Sequence, residues 1–248
     1  SSPDNMHLTT WLTHFNNQRD FIPYSRKAGY EGVVMTSWST SGLYSFMYDQ
    51  GWEIQDMEQV RNVYPLNGFR ILLAAYGKSV NQTEPLNPEL FVTEYAQNRF
   101  NLTEKEGKIL WEILSSRQEL VRAGKTPNGG SVENLLKQAV RMRDKLYALK
   151  PKNNKTEFEH LKLMFDIRVN YLKYKVLESV YQSESYDRSK AKGLLSEIDE
   201  ILQTEKKLDK RFASLQKGFI TDREIAHQNE IRKRKMFVLK DFLSKQVY

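Results

Sequence analysis

One short run constrains this chain more than any other: Gly32-Val33-Val34-Met35-Thr36-Ser37-Trp38. Its apolar residues are adjacent rather than alternating and lie between Gly and Ser, the pattern of a strand buried on both faces in a parallel sheet. Such a strand needs partners on both edges and helices on both faces. Nothing else in the sequence reads as a strand to pair with it. The run therefore predicts one of two things: these 248 residues are part of a longer polypeptide that supplies the missing strands, or residues 1–78 pack in some other way that the pattern does not define.

The flanks fit that expectation. Asp20 is placed to cap a short helix with Pro23 in its first turn, where a missing N–H is tolerated, and Gly29 to end it. Residues 39–54 then form a loop too long, and too rich in Ser, Gly and aromatics, to be a mere connector; Tyr44, Phe46, Met47, Tyr48 and Trp52 all fall in it. After a break at Pro65, Phe69 to Tyr76 read as a helix that covers a sheet and ends at Gly77.

From there the pattern is helical. Asn87-Pro88 supplies a cap and a first-turn proline for a helix carrying Phe91 and Tyr95. Thr103 and Glu106 form a capping box, followed by Leu110, Ile113, Leu114, Arg117 and Val121 on one side of a helix expected to stop at Gly124. Ser131 caps the next helix, with Val132, Leu135, Ala139, Met142, Leu146 and Leu149 in steps of three and four. A third, over residues 156–184, places Phe158, Leu161, Phe165, Val169, Leu172, Val176 and Val180 on one stripe. In a fourth, Glu205 interrupts the spacing of Leu194, Ile198, Ile201, Leu208, Phe212 and Leu215. Thr221 and Glu224 make a second capping box, with Ile220 and Ile225 set for a hydrophobic staple. Short loops between long amphipathic helices predict an antiparallel bundle. The expected organisation is thus mainly α: residues 1–78 a terminal β/α piece, 79–102 a connecting helix and linker, and 103–248 the bundle.

Charge separates the same regions. Residues 1–102 carry net −3 and residues 103–248 net +10, within an overall +7. No apolar run is long enough to span a membrane. Cysteine is absent, which removes disulfides and thiolate chemistry. His7, His14, His160 and His227 show no metal-ligand spacing, so no metal and no cofactor is expected. No nucleophile elbow, phosphate-binding loop or dinucleotide fingerprint is present. Arg232-Lys233-Arg234-Lys235 lies in a helix, where four consecutive residues point in four directions; it reads as a solvated face, not a nucleic-acid footprint. Asn81, Asn101 and Asn154 begin glycosylation-type triplets, a pattern short enough to arise by chance.

The stretch Tyr30-Glu31-Gly32-Val33-Val34-Met35-Thr36-Ser37-Trp38-Ser39-Thr40-Ser41-Gly42 resembles the last barrel strand of glycoside hydrolase family 20, the β-N-acetylhexosaminidases, in particular its hexosaminidase D-like branch. The likeness covers residues 15–77. It implies a (β/α)8 barrel with the active site at the carboxyl ends of the strands, where Trp38 would form a wall of the sugar pocket. An indole suits that place, with a flat apolar face for the C–H side of a pyranose and one N–H donor. In the family, hydrolysis is retaining and substrate-assisted: the substrate's acetamido oxygen attacks, an Asp orients it and an adjacent Glu protonates the leaving group. That Asp-Glu pair belongs to a middle strand, and no Asp-Glu dipeptide on an apolar strand exists here, so no residue of this chain is expected to be catalytic. The family's acidic residue two positions after the Trp is replaced by Thr40, which puts the sugar preference in doubt.

Tyr44, Tyr48, Asp49 and Trp52 complete the expected substrate-binding set, with Glu53 and Asp56 read as solvated loop charges. Expected partners are a carbohydrate substrate and the remainder of the barrel; a homodimer is compatible with the bundle, nucleic acid and a membrane span are not expected. The resemblance slightly favours a secreted or periplasmic setting. A reading from another class stands beside it: a non-enzymatic helical interaction or scaffold module.

Overall fold

In a computed structural model the structure describes residues 11–34, 65–116 and 129–247. These are mainly helical, with eight α-helices and no strand among the described residues. α1 (Trp11–Lys27) buries Trp11, Phe15, Gln18, Ile22 and Ser25, a four-three-four-three spacing that keeps one face inward. The expected start at Asp20 is corrected: the helix already exists at Trp11, and Asp20 is exposed, bound to the Arg19 guanidinium at 2.7 Å. Pro23 lies inside the helix, not in its first turn. It removes one backbone bond near the carboxyl end, and the aromatic anchors at Trp11 and Phe15 hold the earlier turns. Gly29 ends the helix as expected, at φ +81°, with the Tyr30 N–H returning to the Ser25 carbonyl.

A 3-10 turn (Leu66–Phe69) leads into α2 (Arg70–Val80). The expected stop at Gly77 is also corrected. Gly77 is not among the glycines at positive φ, and the helix runs on to bury Ser79 before Asn81 caps it, its side-chain amide donating to the Gly77 carbonyl at 2.7 Å. The two helices lie side by side and run parallel: Gln18 donates to the Leu72 carbonyl at 3.1 Å, and eight residues on Arg26 donates to the carbonyls of Ser79 and Val80.

α3 (Pro88–Phe100) is capped by Asn87, whose side chain accepts from the Leu90 N–H at 3.1 Å. α4 (Glu104–Leu114) opens on the expected capping box: the Thr103 hydroxyl accepts from the Glu106 N–H, and the Glu106 carboxylate accepts from the Thr103 N–H at 2.7 Å. It ends at Leu114 instead of Gly124, because Ser115 and Ser116 turn their hydroxyls back onto the carbonyls of Glu112 and Ile113. Arg117, Val121 and Gly124 fall outside the described residues. α3 and α4 cross so closely at Gly107 that a Cβ there would lie 3.0 Å from the Thr93 Cα and carbonyl oxygen.

α5 (Val132–Ala148) is capped by Ser131, and α6 (Lys155–Tyr181) follows. α6 is not a one-stripe helix as expected. Of its 27 residues 17 are buried, including Asn170 and Lys175, so it is enclosed nearly all round. α7 (Ala191–Gln216) and α8 (Asp222–Val247) complete the chain, the latter opening on the second capping box, Thr221 with Glu224. Ile220 and Ile225 meet in one apolar cluster, as the staple requires. Pairings 170–205 and 166–211 make α6 and α7 antiparallel, and 205–232 and 199–240 do the same for α7 and α8.

Two apolar clusters form the core. In the first, Trp11 and Phe15 of α1 and Ile71 of α2 join Phe91, Phe100, Leu110, Phe158 and Phe165; the Trp11 and Phe165 rings stack at 5.9 Å. The second joins Tyr171, Leu172 and Leu177 of α6 to Val132, Ile198, Met236 and Leu243.

The basic run at residues 232–235 is not a solvated face at its first residue. Arg232 is buried, paired with Glu205 at 2.9 Å and Asp209 at 2.6 Å. It is the interrupting Glu205 that draws it inward, since a buried carboxylate needs a buried cation.

Candidate functional site

The candidate region is the outer surface of the α1–α2 pair, where the chain leaves α1 and returns to α2. Each helix turns one face to the core and carries large apolar groups on the other. Phe21 and Tyr24, three apart and therefore neighbours on the helix, are 58% and 67% exposed, and Leu73 of α2 is 59% exposed. Single exposed apolar residues are ordinary. Here Phe21, Tyr24, Tyr30, Val34 and Leu73 belong to one continuous segment of chain and two adjacent helices.

The Tyr76 hydroxyl donates to the Val33 carbonyl, which fastens the start of the Gly32–Trp38 run beside α2. Gly32, Val33 and Val34 have no regular secondary structure, and Val34 is 86% exposed. The expected strand is therefore not formed at these three residues: no described strand offers the N–H and C=O groups it needs. Met35 to Trp38 lie outside the described residues. So do Tyr44, Tyr48, Asp49, Trp52, Glu53 and Asp56.

Elsewhere buried and half-buried carboxylates form polar ties, three between helices and one, at Glu178, within α6 itself. Glu157 accepts from the Arg99 guanidinium at 2.8 Å and from the Tyr95 hydroxyl, with Arg70 of α2 at 3.7 Å. Burial first, and then the bond to Glu157, raise the Tyr95 pKa. Asp166 takes the Tyr147 hydroxyl and Arg211, each at 2.5 Å; the Tyr147 pKa is pushed up to about 12 by burial, then by that carboxylate. Glu205 takes Arg232 and the Asn170 amide at 2.8 Å. Glu178 takes Lys175 and, at 2.7 Å, Tyr174.

In each tie the carboxylate is committed to a cation and a neutral donor. None is left as a free general base. Among the described residues no group of three His, Asp or Glu side chains could hold a metal ion.

His160 takes no part in these ties. It is fully buried, neither ring nitrogen has a hydrogen-bond partner, and its ring meets Phe219 edge to face. Burial lowers its pKa to about 4, against the pull of Glu157. A neutral imidazole held among apolar groups is a packing element, not a nucleophile's base.

Sequence reasoning missed Glu157, Asp166 and Asn170 as partners. The signal available was a polar residue at an otherwise apolar helical position, and only Glu205 stood out in that way. The triplet asparagines have structural reasons: Asn101 and Asn154 adopt left-handed backbone at helix ends, φ 53° and 48°, and Asn81 caps α2.

No helix among the described residues is long and apolar enough to cross a membrane. No family model, curated protein or solved structure matches this chain.

Proposed function

We propose that this chain is the carboxy-terminal portion of a glycosidase similar to the family 20 β-N-acetylhexosaminidases. In this reading α1, the Gly32–Trp38 run and α2 are the last helix, strand and helix of a (β/α)8 barrel, with the bundle appended to it. The observation that supports it is the parallel register of α1 and α2. Sequential helices that pack side by side in parallel need the chain to run back between them. α1, at 17 residues, is ~25 Å long, and a seven-residue strand returns ~23 Å. The exposed Phe21, Tyr24 and Leu73 are then the faces that cover a parallel sheet.

On this reading Trp38 stands at the carboxyl end of the strand, as a wall of the sugar pocket, and Tyr44, Tyr48, Asp49 and Trp52 follow on the adjoining loop. The substrate is an N-acetylhexosamine-containing glycan, hydrolysed with retention through its own acetamido group. The Asp that orients that group and the Glu that protonates the leaving oxygen come from a middle strand beyond this chain. The test is turnover of a chromogenic N-acetylglucosaminide by this chain and by a longer polypeptide that supplies the preceding strands. The longer form is expected to be active and this chain inactive. In the longer form Trp38→Ala is expected to lower kcat/KM by ~1–3 kcal/mol, a stacking-sized loss. Turnover by this chain alone, or an unchanged Trp38→Ala variant, overturns the reading.

One observation favours a second reading, a helical interaction module. Phe237, Val238 and Phe242 of α8 are each about half exposed on the side turned away from Met236, Leu239 and Leu243. That reading expects a second copy of the chain to dock there. Concentration-dependent dimerisation lost in Phe237→Ser/Phe242→Ser supports it, and a monomer at all concentrations removes it.

A further inference from the structure

The second half of α7 carries a charge pattern that nothing in the fold uses. Lys206, Lys207, Lys210 and Lys217 are all exposed, and their spacing places them on one side of the helix and its continuation. None of the four has an acidic partner within ion-pair distance among the described residues. The uncharged Gln203 and Ser214 are exposed on the same side.

The nearby acids are already committed. Asp209 is turned toward α8, where it takes Arg232 at 2.6 Å and Lys233. Glu205 is buried under Arg232. The one other base in this half, Arg211, points elsewhere and pairs with Asp166.

Lys206 and Lys210 stand one turn apart, a like-charge spacing that destabilises an isolated helix. The helix dipole bears on Lys217, at the C-cap, but does not account for Lys206, Lys207 and Lys210, because its influence is confined to the terminal turns and the last turn of α7 holds no basic residue. A row of cations held against its own repulsion, with Glu205 and Asp209 of the same half-helix engaged by α8, is suited to an anion from outside the chain.

We propose that this face of α7 binds a linear anionic polysaccharide, a chain of uronate- or sulfate-bearing sugars lying along the helix. The row from Lys206 to Lys217 spans ~16 Å, so it meets an extended polyanion and not a single ion. Gln203 and Ser214 supply the amide and hydroxyl that sugar hydroxyls bond. A face for single-stranded nucleic acid would interleave aromatics for the bases to stack on, and this one exposes none between Lys206 and Lys217, Phe212 being fully buried. A membrane-surface face would carry several apolar groups to insert; only Phe219, 54% exposed, stands near its end. The proposal uses side chains of the bundle alone and stands apart from the barrel reading.

The experiment measures binding of the full 248-residue chain to polygalacturonate and heparin, with polyuridylate and polyglutamate alongside, at 50 and 200 mM NaCl. Binding to the polysaccharides is expected, weakening ~tenfold or more at the higher salt. The quadruple variant K206Q/K207Q/K210Q/K217Q is expected to weaken it at least ~tenfold further. A charge-matched variant, K27Q/K105Q/K173Q/K192Q, removes four other exposed lysines and is expected to bind as the unaltered chain does. No polysaccharide binding at 50 mM NaCl, an equal loss in both variants, or stronger binding of polyuridylate or polyglutamate each overturns the proposal.

Discussion

The α1–α2 pair and the α6–α7–α8 bundle are both helices packed on helices, yet they are joined differently. In the bundle neighbours run antiparallel and are tied through carboxylates: Glu205 to Arg232, Asp166 to Arg211, Asp199 to Lys240. α1 and α2 run parallel and are tied by side chains donating to backbone carbonyls, Gln18 to Leu72 and Arg26 to the end of α2. The bundle encloses its central helix almost completely, whereas the parallel pair buries one face only and leaves Phe21, Tyr24 and Leu73 in solvent. A self-contained bundle and a half-covered layer obey the same packing rules. They differ in whether the surfaces needed to finish them are present.

The sharpest way to break the contrast is to disarm the bundle's central tie. Arg232→Ala leaves Glu205 buried with only the Asn170 amide as a described side-chain partner, and it is expected to cost ~3–5 kcal/mol in urea unfolding. The double change Glu205→Leu/Arg232→Met is expected to recover most of that, because two apolar groups need no partner. If the double variant is as unstable as the single one, packing around Arg232, including its approach to Phe212 at 5.2 Å, outweighs the charges. Next in size is Gly107→Ala. The added methyl meets the backbone of Thr93 at 3.0 Å, and backbone cannot swing aside. A loss of ~3 kcal/mol is expected, the upper end for overpacking; a neutral variant would show that α3 and α4 can slide apart.

How much of this was legible beforehand follows the range of the forces. Caps and boxes at Asn87, Thr103, Ser131 and Thr221 were readable because each is a contact between residues three apart. The start of α1 was not, because Pro23 and Asp20 form a strong local signal, and the packing of Trp11 on Phe165 that overrides it links residues far apart in sequence. Glu205 was visible as an irregularity, but its partner Arg232 was hidden inside a basic run that suggested solvent. The exposed outer face of α1–α2 was likewise unreadable, since Phe21 and Leu73 look like core residues until the faces are assigned. The expected sugar-binding residues fall outside the described residues.

pH separates the two regions by a different route. His160, in the first turns of α6, is buried without a partner, and burial lowers its pKa from 6.5 to about 4. The unfolded chain then binds a proton between those values that the folded chain refuses. Stability is therefore full above pH 6.5 and declines as pH falls toward 4. For this residue alone the loss from pH 7 to pH 5 is about 2 kcal/mol. His160→Leu is expected to remove that part of the acid sensitivity, read as the difference between the two chains' urea midpoints across the range. Parallel curves for both would mean that the folded protein accommodates the imidazolium.

The smallest effect is expected where the surface is unfinished, and it bears most directly on what finishes it. In this chain Phe21→Ser/Leu73→Ser removes two side chains that are more than half exposed, so unfolding should change by no more than ~0.5 kcal/mol. In a longer polypeptide that supplies the neighbouring strands, the same pair would lie between helix and sheet and should cost ~1.5–3 kcal/mol per side chain. A large loss already in this chain would mean that its own residues cover the face. The parallel pair would then be as self-sufficient as the bundle, and the barrel reading would lose its support.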